Sequence, residues 1–152
     1  MKITSGTRYV VDTNILVYGY DAKSPYHKET RRLLKNLVVQ NIDAYVTMQN
    51  IVEFCNVLIR DYKLYSSSAI GYAEEIMLDF KIIIPKATTI NRFFNLLRRN
   101  IKDRLYVYVF DIFLAATMLD NGITHIITAN EKDFVGIKGI SVYNPWKGLP
   151  HA

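Results

Sequence analysis

The sequence RYVVDTN at residues 8–14 decides the fold, because a short hydrophobic stretch in it leads directly into an acid and then into a helix. Residues 9–11 are aromatic or β-branched without polar alternation, which is typical of a central strand covered on both faces. A helix is predicted to begin near Ile15, since the chain runs on without Pro or Gly for a full turn. Asp12 is therefore predicted to lie outside the carboxyl end of a strand, where ligands bind in open parallel sheets. The alternative is that Asp12 or Asn14 caps the helix.

Strands and helices alternate along the rest of the chain. Helices are predicted at residues 25–37, 48–62, 66–80, 88–99 and 112–119, and strands at residues 43–47, 81–85, 124–128 and 140–143. Thr47 is the expected N-cap of the helix that follows it, and Gly122 is expected to end the helix before it. This order predicts an α/β fold, a three-layer α/β/α sandwich around a mostly parallel sheet of four to five strands.

The composition predicts a single domain over residues 1–152, because this length and a hydrophobic content of 50% suffice for one core. Cys55 is the only cysteine, which excludes a disulfide framework, and His125 is expected to pack within a strand. No apolar run approaches the ~20 residues that span a bilayer, and the N-terminus lacks a signal-peptide pattern. We therefore expect a cytoplasmic protein with no membrane association. Its net charge of +5 favours a polyanionic partner.

Three acids, Asp12, Glu53 and Asp111, each occupy a junction where a helix begins or has just begun after a predicted strand or loop. Glu53 interrupts a helix that is apolar almost all round, and a buried carboxylate normally pairs with a cation or binds a metal. The structural alternatives are an ion pair of Glu53 with Arg60, a helix rotated so that Glu53 reaches solvent, and a capping role for Asp111.

Acids that follow different strands can converge although they are distant in sequence, because the carboxyl ends of parallel strands share one edge of a sheet. Converging carboxylates repel one another unless they take up protons or a cation. Oxygen ligands of this kind favour Mg²⁺ or Mn²⁺ over Zn²⁺. The sequence therefore predicts a magnesium or manganese site at this edge.

Four motifs, taken together and in this order, resemble the PIN domain family, in particular VapC-type toxin ribonucleases. They are Val-Asp-Thr-Asn at residues 11–14, the helix-borne Glu53, Phe110-Asp111 opening Leu-Ala-Ala-Thr at residues 114–117, and Thr128-x-Asn130-x-x-Asp133-Phe134. The resemblance covers nearly the whole chain. It implies an endoribonuclease that hydrolyses RNA phosphodiester bonds with Mg²⁺ or Mn²⁺, with Asp12, Glu53 and Asp111 as the catalytic, metal-binding acids. It also implies a small antitoxin protein as partner and a homodimeric toxin.

The fourth metal ligand departs from the family's pattern. PIN proteins often have an Asp where this chain has Asn130, and the acid available in the same turn is Asp133. We rank Asn130 slightly above Asp133 as a site residue, since its amide oxygen can bind a metal or a metal-bound water. Hydrogen bonds that orient the carboxylates are expected from three further side chains, those of Thr13, Asn14 and Thr128.

The segment at residues 100–104 is polar and basic and lies shortly before Asp111. Lys102 and Arg104 are the cations best placed to contact an RNA backbone, while the alternative is an ordinary solvated loop.

Other functions fit the motifs less well. A PIN-fold protein that binds RNA or a partner without cutting is the main alternative, because Asn130 replaces an acid. A haloacid dehalogenase-type phosphatase needs a second Asp two residues after the first, where this chain has Asn14. A phosphoacceptor response regulator needs an acidic pair before the strand's Asp and a Lys on a late strand, and it fits worse.

Overall fold

The computed structural model describes residues 3–100 and 109–147 of the chain. Within these ranges it contains a single five-stranded sheet in the order β3-β2-β1-β4-β5, and every neighbouring pair of strands is parallel. Its strands are β1 Tyr9–Val11, β2 Ala44–Thr47, β3 Lys81–Ile83, β4 His125–Ile127 and β5 Ser141–Tyr143. The hydrophobic residues at 9–11 therefore form the central strand, as the sequence predicts.

Helices cover both faces of this sheet. They are α1 Thr13–Tyr20, α2 His27–Val39, α3 Met48–Arg60, α4 Ser66–Asp79, α5 Thr89–Asn100, α6 Val109–Asp120 and α7 Glu131–Phe134. Successive strand residues point to opposite faces, so Val11 packs with α1 to α4 while Val10 packs with α5 to α7. The three-layer α/β/α sandwich predicted from the sequence is confirmed.

Several element boundaries differ from the sequence prediction. Helix α1 begins at Thr13 rather than near Ile15, because Asp12 itself serves as N-cap and accepts a hydrogen bond from the Thr13 backbone. Helix α6 already includes Val109, the first described residue after position 100, so it starts earlier than predicted, and Asp111 lies in the first described turn. The turn that was expected after β4 forms the short helix α7. Helix α4 begins after Tyr65 without a side-chain cap.

Two predicted caps and one predicted packing contact are confirmed. Thr47 caps α3 in a reciprocal capping box with Asn50. Gly122 follows α6 with a φ of +70°, the left-handed conformation that a helix terminus of this type requires. His125 packs edge-to-face against Tyr9 with ring centroids 5.6 Å apart. Among the described residues, no helix combines the length and apolar character needed to cross a membrane.

Candidate functional site

Asp12 lies at the carboxyl end of the central strand with only 7% of its surface exposed. Its Oδ1 accepts a hydrogen bond from the Thr13 backbone N–H at 2.7 Å. Its Oδ2 accepts from Asn14 Nδ2 at 2.6 Å and from Thr128 Oγ1 at 2.7 Å. Asp12 therefore does cap α1, but two further donors fix its second oxygen.

Burial raises the pKa of Asp12 to about 6, although its three hydrogen bonds favour the charged form. The negative charge of Glu53 acts in the same direction as burial and contributes to this value. Ionising this buried carboxyl group therefore costs free energy when no cation is bound.

Glu53 is half-buried on α3, and both of its carboxylate oxygens accept hydrogen bonds. Thr13 Oγ1 donates to Oε2 at 2.8 Å, and Gln49 Nε2 donates to Oε1 at 2.7 Å. The predicted alternative of an ion pair with Arg60 is wrong, because Arg60 pairs with Asp61 at 2.8 Å. Glu53 is accordingly oriented by neutral donors, and it forms no ion pair with a described residue.

A chain of buried side chains sets the direction of the Thr13 hydroxyl. Asn50 is fully buried, and its Oδ1 accepts from the backbone N–H and the hydroxyl of Thr47. Its amide nitrogen donates to Thr13 Oγ1 at 3.0 Å. Because Thr13 Oγ1 accepts a hydrogen bond from Asn50, the single hydroxyl proton of Thr13 is free to be donated to Glu53.

Asp111 lies half-buried in the first turn of α6. Burial, together with the negative charges of Asp12, Asp133 and Glu53, raises its pKa to about 7. No donor in the described part of the chain bonds its carboxylate, so the capping alternative does not describe Asp111. Asp12, Glu53 and Asp133 therefore lie close enough for their charges to act on Asp111.

Asp133 joins this cluster while Asn130 does not. Burial raises the pKa of Asp133, and its Oδ1 is a buried atom that accepts no hydrogen bond. Asn130 is exposed, and although it precedes α7 its side chain makes no capping hydrogen bond. The geometry favours Asp133 over Asn130, the reverse of the ranking from sequence, and which of them contacts an ion stays a prediction.

The donor chemistry of the cluster fits a hard divalent cation. Ion pairs between described residues involve other acids, namely Asp61, Asp43, Asp120 and Glu131. As the side chains stand, no group of three or more described His, Cys, Asp or Glu residues is arranged to hold a metal ion. Mg²⁺ is usually held by one or two carboxylates, with water and substrate phosphate completing its shell. Asp12 and Asp111, which have raised pKa values and form no ion pair with a described residue, fit that arrangement.

Two residues that the sequence analysis did not identify belong to the hydrogen-bond network of the site, Gln49 and Asn50. Asn50 stands three residues after the capping Thr47, and Gln49 stands four before Glu53, so helical spacing carried a signal for both. Lys102 and Arg104, predicted to contact RNA, lie outside the described residues.

Comparisons with known proteins identify the family and the fold of this chain. The model of the PIN domain family matches residues 9–139. No curated protein matches the chain at a significant level.

Among solved structures, VapBC2 from Rickettsia felis bound to a promoter DNA fragment aligns with a TM-score of 0.73 at 16% identity, covering 91% of this chain and 98% of that one. VapC20 from Mycobacterium tuberculosis, described as a toxin that cleaves the sarcin-ricin loop, aligns with a TM-score of 0.62 at 16% identity, covering 87% and 98%. A toxin–antitoxin complex from Klebsiella pneumoniae aligns with a TM-score of 0.60 at 23% identity, covering 90% and 97%. At identities this low, the structural likeness establishes a common fold and nothing more.

Proposed function

This chain belongs to the PIN domain family, and from that premise we propose that it is a divalent-metal-dependent endoribonuclease that acts as the toxin of a toxin–antitoxin pair. One observation carries the proposal. Asp12 and Asp111 come from distant parts of the sequence, and each has a pKa raised by burial and by neighbouring acids. Perturbed acids without a cationic partner are characteristic of functional sites.

Asp12, Glu53 and Asp111 would hold the ion, Mg²⁺ or Mn²⁺, with Asp133 adding negative charge beside it. When bound, such an ion activates water and neutralises charge that develops on the phosphate oxygens during hydrolysis. Asn14 and Thr128 keep Asp12 Oδ2 in a fixed direction, since both donate to it. Thr13 does the same for Glu53.

The charge distribution supports a nucleic-acid substrate. The chain carries 19 Lys and Arg against 14 Asp and Glu, yet four of its acids, Asp12, Glu53, Asp111 and Asp133, lie together at the candidate site, which we call the acidic pocket. A basic remainder would hold the phosphate backbone while the pocket holds the metal. Lys102 and Arg104 stay predicted RNA contacts.

Cleavage of a labelled single-stranded RNA tests the proposal directly. We expect purified wild type to cut with Mg²⁺ or Mn²⁺ and to stop when EDTA is added. Asp12→Asn should lose the activity, whereas Asp61→Asn should retain it because Asp61 is an exposed acid paired with Arg60. Folding of both variants would be checked by circular dichroism.

A different result would identify the alternative function. If neither wild type nor variants cut a panel of RNAs that includes structured tRNA, while wild type still binds one of them, a PIN-fold binding protein without nuclease activity replaces the proposed enzyme. The exposed Asn130, in place of an acid, would then be the first residue to change.

We propose that the antitoxin binds in a groove of this chain between α2 and the α3–α4 pair, which has a volume of about 820 Å³. Its lining combines apolar, basic and acidic side chains, including Leu16, Phe54, Arg31, Arg32, Glu75 and Asp79. An amphipathic helix with charges flanking its apolar stripe would match this lining. The toxin–antitoxin complexes among the structural relatives support the choice of partner.

Co-purification of this chain with a candidate antitoxin tests the groove. Val39→Glu places a charge in the groove lining at a residue that is 70% exposed, so we expect it to weaken the complex without unfolding the toxin. Val135→Glu is the matched control, because Val135 is 56% exposed and is not among the residues that line the groove. Equal retention of the partner by both variants would contradict the placement.

We also propose a homodimer. Helices α3 and α4 expose large apolar side chains, among them Val52, Ile59, Ile70 and Met77, which a second copy would cover. Light scattering should give twice the mass of the chain, and a monomeric mass at micromolar concentration would refute the dimer.

A further inference from the structure

Helices α3 and α6 each carry an acid of the candidate site, but they are not packed along one another. Helix α6 packs mainly on α5, while α3 packs on α1 and α4. Helix packing therefore does not by itself set the spacing between Glu53 on α3 and Asp111 on α6. Some other contact must fix these two carboxylates if they are to serve one ion.

Gln49 spans the gap between the two helices. Its side-chain nitrogen donates to Glu53 Oε1 at 2.7 Å and to the backbone carbonyl of Phe110 at 3.0 Å. Gln49 precedes Glu53 by one helical turn on α3, and Phe110 immediately precedes Asp111. In the described part of the chain, this is the hydrogen bond that joins α3 to α6.

The orientation of the Gln49 amide follows from its neighbours. Both groups that face its nitrogen are acceptors, so turning the amide over would set oxygen against oxygen twice. Its Oε1 is buried and accepts no hydrogen bond from a described residue. Leaving a buried acceptor unpaired is unfavourable, so the two hydrogen bonds of the nitrogen must outweigh that loss. The two hydrogen bonds donated by the NH₂ group therefore fix the position of the Gln49 side chain.

We propose that Gln49 is a positioning residue that fixes the Glu53 carboxylate against the first turn of α6 and thereby sets the metal affinity of the pocket. The inference rests on the proposed metal-dependent function. Thr13 already holds the other oxygen of Glu53, so Gln49 supplies the link to the helix of Asp111. Outer partners that orient metal ligands typically contribute about 10–100-fold in metal affinity or activity.

Two substitutions separate the link from simple packing. Gln49→Met keeps the length of the side chain and removes both donors. Gln49→Asn keeps the NH₂ group but is one methylene shorter, so it cannot reach both acceptors. Gln40→Met is the matched control, because Gln40 is the chain's other glutamine and is exposed just after α2.

Calorimetric titration of each metal-free protein with Mn²⁺ gives the decisive readout, with thermal unfolding in EDTA measured alongside. We expect Gln49→Met and Gln49→Asn to bind Mn²⁺ about tenfold or more weakly than wild type, and Gln40→Met to match wild type. A lower unfolding temperature with unchanged Mn²⁺ affinity would show a purely structural role and overturn the inference. If Gln49→Met loses its cooperative transition, Gln49→Asn decides.

Failure of the inference is distinguishable from failure of the proposed function. If wild type binds Mn²⁺ and cuts RNA while both Gln49 variants do so with equal affinity, the inference alone is overturned. Wild type that neither binds Mn²⁺ nor cuts RNA would overturn the proposed function and the inference with it.

Discussion

The two ends of helix α6 carry acids with opposite properties. Asp111 lies in its first turn and has its pKa raised to about 7, whereas Asp120 is its last residue and has its pKa lowered to about 2. The helix dipole favours the reverse, since an anion is stabilised at an N-terminus and destabilised at a C-terminus. Local surroundings therefore outweigh the dipole at both ends.

The surroundings differ in the partners that they supply. Asp120 accepts hydrogen bonds from the hydroxyls of Thr88 and Thr89 and from Arg92 Nε at 2.9 Å. Asp111 accepts none from a described residue and faces three other acids. Asp120, which joins α5 to α6, is thus neutralised by Arg92. Asp111 has no such partner among the described residues, which leaves its carboxylate for a bound cation.

The largest expected difference between these two ends is in catalysis. Asp111→Asn should lower single-turnover RNA cleavage in Mg²⁺ by at least about 10²-fold, because it removes a carboxylate that would hold the ion, and such an ion contributes several kcal/mol of transition-state stabilisation. Asp120→Asn should leave the rate per folded molecule near that of wild type. Equal losses in the two variants would mean that the pocket has no special part in the reaction.

The pH dependence of stability should separate the same two regions. Asp12 and Asp111 bind protons more tightly when folded, so the free energy of unfolding of the metal-free protein should fall as pH rises from about 4 to 7. The shift of Asp12 from 3.8 to about 6 corresponds to at most about 3 kcal/mol. Asp120 works in the opposite sense, because its stabilising contribution is present above about pH 4 and is lost toward pH 2.

Urea denaturation in EDTA at pH 5 and pH 8 checks this dependence. The decrease in stability between the two pH values should be smaller in Asp111→Asn than in wild type, and saturating Mn²⁺ should reduce it in wild type. An identical decrease in wild type and Asp111→Asn would place the proton uptake elsewhere.

The free energy of unfolding at pH 8 in EDTA should move in opposite directions in the two variants. Asp120→Asn should lower it by about 1–3 kcal/mol, because it weakens several hydrogen bonds and unpairs Arg92. Asp111→Asn should raise it, since it relieves repulsion and breaks no hydrogen bond with a described residue. Destabilisation by Asp111→Asn in urea titrations would reveal a structural partner. Asp12→Asn and Glu53→Gln are poorer tests because those carboxylates also accept hydrogen bonds.

The smallest effect concerns hydroxyl donors to the two kinds of acid. Thr128→Val removes a buried donor to Asp12 and should lower cleavage by about tenfold through misorientation of that carboxylate. Thr88→Val removes a comparable donor to Asp120 and should leave cleavage unchanged. Cleavage rates at saturating Mg²⁺ compare the pair, and a similar decrease in both would argue against a positioning role for Thr128.

Local sequence patterns were sufficient for the strands, most of the helices and the three central acids. Tyr9, Val10 and Val11 read as a doubly covered strand because burial on both faces demands an unbroken hydrophobic run. Thr47 could be identified as a cap because the interaction that defines it is closed within three residues. Asp12 could be placed at the sheet edge for the same reason, since it directly follows that strand.

Only the tertiary structure decided which of the remaining polar residues join the acids. Asn130 and Asp133 belong to one turn, and their separation into an exposed residue and a half-buried one depends on how α7 rotates against α6. Gln49 reaches Phe110 across 61 residues of sequence, a contact that no local pattern encodes. The sequence by itself determined where acids follow strands, because that depends on neighbouring residues. The distances and partners of those acids depend on packing between helices that are far apart in the chain.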